Sequence, residues 1–395
     1  MTSYIKSHFE NMLHGKRVVV ASSASISLYR IPDLIRDIKR EGADVISGIS
    51  SSAAEMLSPE IFKWATGHDV ITEISGYIEH ISLFDKDTIL LIAPASYNTI
   101  GKMANGIADN IPSIFFSYAY GHKNPVIVVP AMHKDMMNTS INKENIKKLK
   151  ETGVLIVEPE YDETKAKLAD NDRIIDYICR SVYGSRLKNK NIFILAGKSE
   201  LNIDPVRVLS NRSTGYTGYW LARNAFRFGA DLITYIGNSE YDIPPYVNYV
   251  NRVNLKDIIV ETDSALEKNR YDYIIMPIAL MDFELTESRE KLKSSSEQLI
   301  RLKPGSKIRD HIRTLAHDSK MVLFNLEGKN EYDTDKFKNS EPDLIVLNSI
   351  NDNTFGENTK DYVFVYNGNR ANFKNIDKAQ LSIEIYNYII DKISN

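Results

Sequence analysis

The string AGKSELNIDPVRVLSNRSTGYTGYWLARNAF sets Gly197, Ser199, Gly215 and Gly218 around a strand-to-helix transition. Backbone N–H groups left free at such a helix start suit a phosphate, because they point outward together and the helix dipole favours negative charge. Glycine-rich strand–helix turns also arise for packing alone, so the string by itself leaves both readings open. His80 stands just ahead of the apolar run TILLIAP, and an imidazole titrates where proton transfer near neutral pH needs it. A lone histidine is as readily structural. Lys291 and Lys293 lie in DFELTESREKLKSSSEQLIRLKPGS, a polar stretch without a clean period that reads as a mobile loop, where a lysine is ordinarily a solvated charge. The chain has one cysteine, Cys179, which excludes an internal disulfide or a CxxC metal site and accords with a reducing compartment.

The elements that must hold these residues are β-branched runs alternating with amphipathic, helix-length segments. RVVVA, DVISGIS, TILLIAP, PVIVV and VLIVEP alternate with LYRIPDLIRDIKREG, SPEIFKWATG, a helical 97–119 and a helical 140–152. Runs such as TILLIA are apolar at every position, the mark of a parallel sheet covered on both faces. After GSRLKNKN the pattern restarts with NIFILAG, a helical 214–228, DLITYIG, a helical 255–268, YDYIIMP, MVLFNL, DLIVLN, DYVFVY and a final helix at 377–393. The fold class is therefore α/β, in two domains, 1–185 and 186–395. No short repeat and no low-complexity region interrupts them.

Bulk properties narrow the function. At 395 residues the chain exceeds one ordinary core, and 43% hydrophobic with 26% charged residues is a globular composition. A formal net charge of -3 without a long basic block argues against a nucleic-acid partner, which needs concentrated positive charge. No apolar run reaches membrane-helix length, and MTSYIKSHFENMLHGK is too polar for a signal peptide, so a cytoplasmic protein with small-molecule substrates is expected.

IDPVR followed by SNRSTGYTG closely resembles the IDPVR and SNxSSGKMG signature of the phosphopantothenate–cysteine ligase domain. The resemblance implies a Rossmann-like domain in which a nucleotide, CTP in microbial enzymes, turns the carboxylate of 4'-phosphopantothenate into an acyl-nucleotidylate that cysteine then attacks. It implies that Asn211 steadies that intermediate and that the glycines at 197, 215 and 218, with Ser199, hold phosphates. IALMDFELTESREKLKS is similar to the family's AAVADF…KIKK element, giving Asp282 to the nucleotide or its Mg2+ and Lys291, with Lys293, to phosphate. MVLFNLE and DLIVLNSINDNTFGEN follow the family's next motifs in order and place Phe324 and Asn348 in the nucleotide pocket. Such a reaction depends on cations and N–H groups at the triphosphate more than on a strong base, and a loop that closes over the phosphates would exclude water. Three positions depart from the pattern: Tyr216 and Ser340 replace lysines and Leu201 replaces a glutamate, leaving fewer phosphate-facing cations.

The first half resembles the flavoproteins that include phosphopantothenoylcysteine decarboxylase, through SLYRIPDLIRDIKREGADV, HISLFDKDTILLIAPASYNTIGKMANGIADN and PAMHKDM. That implies a flavodoxin-like or Rossmann-like domain holding FMN with Ser23, Ser25 and Ser50 at the phosphate and ribityl chain, and Ser96 and Asn98 beside the isoalloxazine. His80 aligns with the family's active-site histidine, and Met132 and His133 would lie beside the substrate. Here too there are departures: His133 replaces an asparagine, Ala24 a glycine, and Ala166 the clamp cysteine that supplies reducing power. Cys179, on the helix beyond, is a poor substitute. The resemblance implies a bifunctional enzyme and a homo-oligomer, with trimeric flavin domains and dimeric ligase domains. Two other readings remain: a ligase whose flavin domain is inactive or repurposed, and a flavin-binding regulatory or oligomerising protein.

Overall fold

The computed structural model describes residues 11–76, 78–293, 297–305, 307–327, 337, 339–349 and 359–393. The chain divides into two compact units, 1–184 and 185–395. Among the described residues no helix is long and apolar enough to cross a membrane.

In the first unit five parallel strands, β1 (Arg17–Ser22), β2 (Asp44–Ile49), β3 (Thr88–Ala95), β4 (Val126–Pro130) and β5 (Leu155–Ile156), lie in the order β2-β1-β3-β4-β5. This is the flavodoxin-like winding, whose ligand crevice opens at the carboxyl ends of β1 and β3. All eight residues of β3 and all five of β4 are buried, as their unbroken apolar runs require of strands covered on both faces. The expected single helix over 97–119 is two, α1 (Tyr97–Ala104) and α2 (Ile111–Gly121). Gly106 adopts a left-handed φ of 71°, and Asn110 then starts the second helix by accepting the Ser113 N–H at 3.2 Å, with Pro112 in the first turn. VLIVEP contributes only two ladder residues to the sheet.

The main sheet of the second unit has eight strands: β6 (Asn191–Ala196), β7 (Leu232–Gly237), β8 (Asn248–Val250), β9 (Tyr273–Met276), β10 (Lys320–Glu327), β11 (Leu344–Ser349), β12 (Thr359–Tyr366) and β13 (Asn369–Asp377). Their order is β8-β7-β6-β9-β10-β11-β12-β13, parallel through β11 and antiparallel for the last two. The first six follow the Rossmann order, with its switch point between β6 and β9. The helices include α3 (Tyr216–Arg227), α4 (Leu255–Lys268), α5 (Ile308–Leu315) and α6 (Lys378–Tyr388). Strand β13 falls in a stretch where the sequence reading placed no element. It is joined to β12 through Asn367 and Gly368, both at positive φ, the backbone a two-residue hairpin turn demands. The stretch 282–306, expected as a mobile loop, is closed at its base by a two-stranded ladder pairing Phe283–Leu285 with Leu302–Pro304. Residues 350–358, with the FGEN string, lie outside the described residues.

Candidate active sites

At the carboxyl end of β6 the chain turns sharply through Gly197, at φ +94°, where a Cβ would stand 2.2 Å from the Asn238 carbonyl oxygen. Only glycine allows that approach. The next residues lock onto the segment after β9. Ser199 donates its N–H to the Ala279 carbonyl at 3.2 Å, its hydroxyl accepts the Met281 N–H at 2.8 Å, and the Ala279 N–H donates to Gly197 at 2.9 Å. Asn211 joins the same point, its amide donating to the Ala279 carbonyl while its oxygen accepts the Ser213 N–H at 3.2 Å. Ser199 is fully buried with its hydroxyl engaged, so it fixes the loop and has little left to offer a ligand. Asn211 is half-buried and keeps unused hydrogen-bonding capacity.

The two remaining glycines have different duties. Gly215, left-handed at φ +80°, precedes α3 without any side-chain cap, so the first-turn amides of that helix have no side-chain acceptor. Gly218 faces the sheet instead: a Cβ there would meet the Ala196 Cβ at 2.3 Å and the Tyr235 ring at 2.7 Å. Its role is close packing of α3 on β6, and through that packing it sets where the first turn lies.

Asp282 pairs with the Lys307 ammonium at the start of α5, a residue the sequence reading did not single out. Beside it opens a cavity of about 420 Å³, lined by residues that include Glu200, Asn202, Lys256, Met281, Asp282 and Glu287. That volume falls within the range of small-molecule sites. Lys291 and Lys293 are exposed, and among the described residues neither forms an ion pair nor reaches Asn211 or Asp282. Phe324 on β10 and Asn348 on β11 are half-buried. Leu326 is the register partner of Asn348, so Asn348 and Phe324 project from the same face of the sheet. Among the described residues no group of three or more His, Cys, Asp or Glu could hold a metal.

In the first unit the loops after β1, β2 and β3 are stitched together at the carboxyl edge. The Ser23 hydroxyl donates to Pro94 at 2.7 Å and accepts the Ser96 N–H at 2.9 Å, and the Ser50 N–H donates to Ser22 at 3.0 Å. Ser50 and Ser96 cap the helices that follow them by accepting the Ala53 and Thr99 N–H groups. Ser25 reaches the loop after β4 through the Ala131 carbonyl, and Asn98 is exposed in the first turn of α1.

His80 lies in a short helical turn, Glu79–Ser82, ahead of β3. Its ring meets Tyr118 edge-on at 5.8 Å, and its Nδ1 is buried with no hydrogen-bond partner. A buried imidazole nitrogen left unsatisfied is costly and marks a place where a ligand or water belongs. His133 accepts the Asp135 N–H on Nδ1 at 3.3 Å and is half exposed. Met132 pairs in antiparallel register with Ala166, on a strand (Lys165–Lys167) that folds back over it. Ala166 is 1% exposed and its methyl belongs to the unit's core. Cys179 is likewise fully buried on the helix Asn171–Tyr183.

The chain matches the flavoprotein family model over residues 6–183, and the model of the DNA/pantothenate metabolism flavoprotein C-terminal domain over residues 187–393. It is 31% identical to the coenzyme A biosynthesis bifunctional protein CoaBC of Thermococcus kodakarensis, covering 95% of both chains. Identity is 32% to the protein of that name from Methanocaldococcus jannaschii, over 99% of this chain and 96% of the relative. A cysteine/cysteine sulfinic acid decarboxylase of an unknown prokaryotic organism is 32% identical over 80% of this chain and 90% of its own. With two relatives above 30% identity along nearly its whole length and the C-terminal family model covering more than half of it, this chain belongs to the family of coenzyme A biosynthesis bifunctional proteins.

Proposed function

We propose that the chain performs two successive steps of coenzyme A biosynthesis: residues 186–395 couple 4'-phosphopantothenate to cysteine, and residues 1–185 decarboxylate the product to 4'-phosphopantetheine. The observation that carries the ligase reading is the convergence of Gly197, Ser199 and Asn211 on Ala279, at the switch point and next to the cavity. CTP activates the substrate carboxylate: the carboxylate oxygen attacks the α-phosphorus, pyrophosphate leaves, and the cysteine amine then displaces CMP. Asn211 steadies the acyl-nucleotidylate, the α3 amides after Gly215 take phosphate oxygens, and Lys291 with Lys293 neutralises the triphosphate. Phe324 and Asn348 line the pocket for the base. Mg2+ travels with the nucleotide, since Asp282 offers one carboxylate and phosphates supply further ligands. Asp282, which here faces the Lys307 ammonium, would hold that ion together with the nucleotide phosphates.

The first unit fits FMN: serines at three adjacent strand ends are tied together there, and His80 presents an imidazole nitrogen without a protein partner. Ser23, Ser25, Ser50, Ser96 and Asn98 would hold the group, which when bound supplies the two-electron oxidation that makes the cysteinyl carboxylate labile. His80 handles the proton, and His133 orients the carboxylate with Met132 packed beside it. The assembly is a homo-oligomer working in the cytoplasm.

The test is to supply the full chain with 4'-phosphopantothenate, cysteine, CTP and Mg2+ and to follow phosphopantothenoylcysteine. Product should form, and Asn211→Ala should lower turnover by about 100-fold, the scale of a preorganised charge-stabilising donor. Unchanged turnover in the variant would remove Asn211 from the site.

A further inference from the structure

Asp204, in the IDPVR string, is a carboxylate whose side chain has no exposed surface. One oxygen closes a local turn, Oδ1 accepting the Val206 and Arg207 N–H groups at 2.8 Å each. The other reaches 88 residues along the chain, Oδ2 accepting the Leu292 N–H at 3.0 Å as well as the Arg207 guanidinium. Arg207 in turn donates to the Leu292 carbonyl at 3.1 Å, and the Ser288 N–H donates to the Ile203 carbonyl at 2.9 Å. Both backbone polar groups of Leu292 are thus held by one ion pair, a buried Asp204 carboxylate with an exposed Arg207, and Leu292 stands between Lys291 and Lys293. A turn could be closed by an uncharged serine or asparagine. The second carboxylate oxygen serves the distant loop directly, and also the Arg207 guanidinium that reaches the same loop. Burial pushes this carboxyl upward, but the hydrogen bonds, Leu292 first among them, hold it down to about 2, so the grip persists at every pH where the protein works.

We propose that Asp204 is a positioning residue for the ligase reaction, holding the Leu292 backbone so that the two lysines flanking it are fixed at the phosphates of the bound nucleotide. The inference rests on the ligase reading above. An otherwise mobile strand of lysines would have to be ordered at each turnover, whereas a pinned one meets the developing charge already in place.

Asp204→Asn separates the two duties of the residue. Its Oδ1 still closes the turn, while an NH2 group replaces Oδ2 and faces the Leu292 N–H and the Arg207 guanidinium donor to donor. In the full chain, amide hydrogen exchange across 286–293 should quicken by about tenfold or more in Asp204→Asn and stay unchanged in Lys291→Ala. Pyrophosphate release from CTP and 4'-phosphopantothenate without cysteine should fall by about 30-fold or more. Adding Asp204→Asn to the Lys291→Ala/Lys293→Ala pair should slow it no further, because Asp204 acts through those two lysines. Ser288→Pro, which removes the loop's bond to Ile203 and leaves the buried carboxylate intact, should show both effects in smaller size. Faster exchange with release within about threefold of wild type, or a further loss when Asp204→Asn is added to the variant lacking both lysines, would overturn the proposal. So would a wild-type Leu292 amide that exchanges freely. A wild type that releases no pyrophosphate refutes the ligase reading instead, and the exchange data still report whether the grip exists.

Discussion

Gly218→Ala tests whether the packing of α3 on β6 sets the nucleotide site. The added carbon would lie 2.3 Å from the Ala196 Cβ and 2.7 Å from the Tyr235 ring, whereas two carbons rest at about 3.5–4.0 Å. Tyr235 cannot yield easily: it is fully buried and its hydroxyl donates to the Asn238 carbonyl at 3.0 Å. The helix must therefore back away by roughly 1 Å. Overpacking of this kind costs about 1–3 kcal/mol, and replacing a helical glycine returns about 1 kcal/mol, so a net loss of up to about 2 kcal/mol is expected. A displacement of about 1 Å at the first turn should also lower nucleotide activation by up to about 100-fold. Urea unfolding read by Trp220 fluorescence in a Trp64→Phe background isolates the second unit, since each unit holds one tryptophan. The control is Gly101→Ala within α1, where the nearest atom to a new Cβ is the Asn145 amide nitrogen at 3.8 Å, an ordinary contact. That change should stabilise the first unit by about 0.5–1 kcal/mol, read by Trp64 fluorescence in a Trp220→Phe background. An unchanged unfolding midpoint together with wild-type nucleotide activation in Gly218→Ala would refute the reasoning.

Lys378 donates to the Tyr362 hydroxyl at 2.6 Å, and burial pushes its ammonium down to about 8. The unfolded lysine keeps its proton to about 10.4. Between those values the unfolded state binds more protons, so stability of the second unit should rise with pH from about 8 to about 10, by about 1–2 kcal/mol given the partial exposure of the residue. Above that, the raised Tyr362 phenol reverses the trend, and Lys378→Met should abolish the rise in pH-dependent urea melts. On the proposed reading Ala166 offers no thiol to finish the reduction, and His80 and His133 would deliver a proton. Mass spectrometry should therefore find saturated phosphopantetheine from the wild type and Cys179→Ser, and none from His80→Asn. A product lighter by two hydrogens would show stalling, and loss of activity in Cys179→Ser would give that buried thiol a role. If subunits share the flavin, dilution should release it from the protein, and a monomer retaining stoichiometric flavin would contradict that arrangement.

The alternation of apolar strands and amphipathic helices was legible because parallel sheets demand unbroken apolar runs, as in TILLIAPA and VIVVP. Asn367–Gly368 carried a hairpin signal as plain as any in the chain, and heeding it would have found β13. The break at Asn105–Asn110 was marked by Gly106 and Pro112, yet the apolar residues on either side kept a helical spacing across it. Which cation meets Asp282 was beyond sequence reading: Lys291 and Lys307 are equally loop lysines, and only the base ladder of the 282–306 segment brings Lys307 back to that carboxylate. The reach of Asp204 to Leu292 was hidden for the same reason, since a contact across 88 residues leaves no periodicity behind.

The eight-stranded sheet of the second unit must end somewhere, and its two margins end differently. At one, β8 is three residues long and offers almost no ladder to a newcomer. At the other, β13 alternates polar residues along its length and exposes Arg370 and Lys374, whose charges repel a second copy of the same strand. Both free margins are thus closed to strand addition. A sheet with such margins resists the edge-to-edge stacking that leads to fibrils, even in a concentrated enzyme.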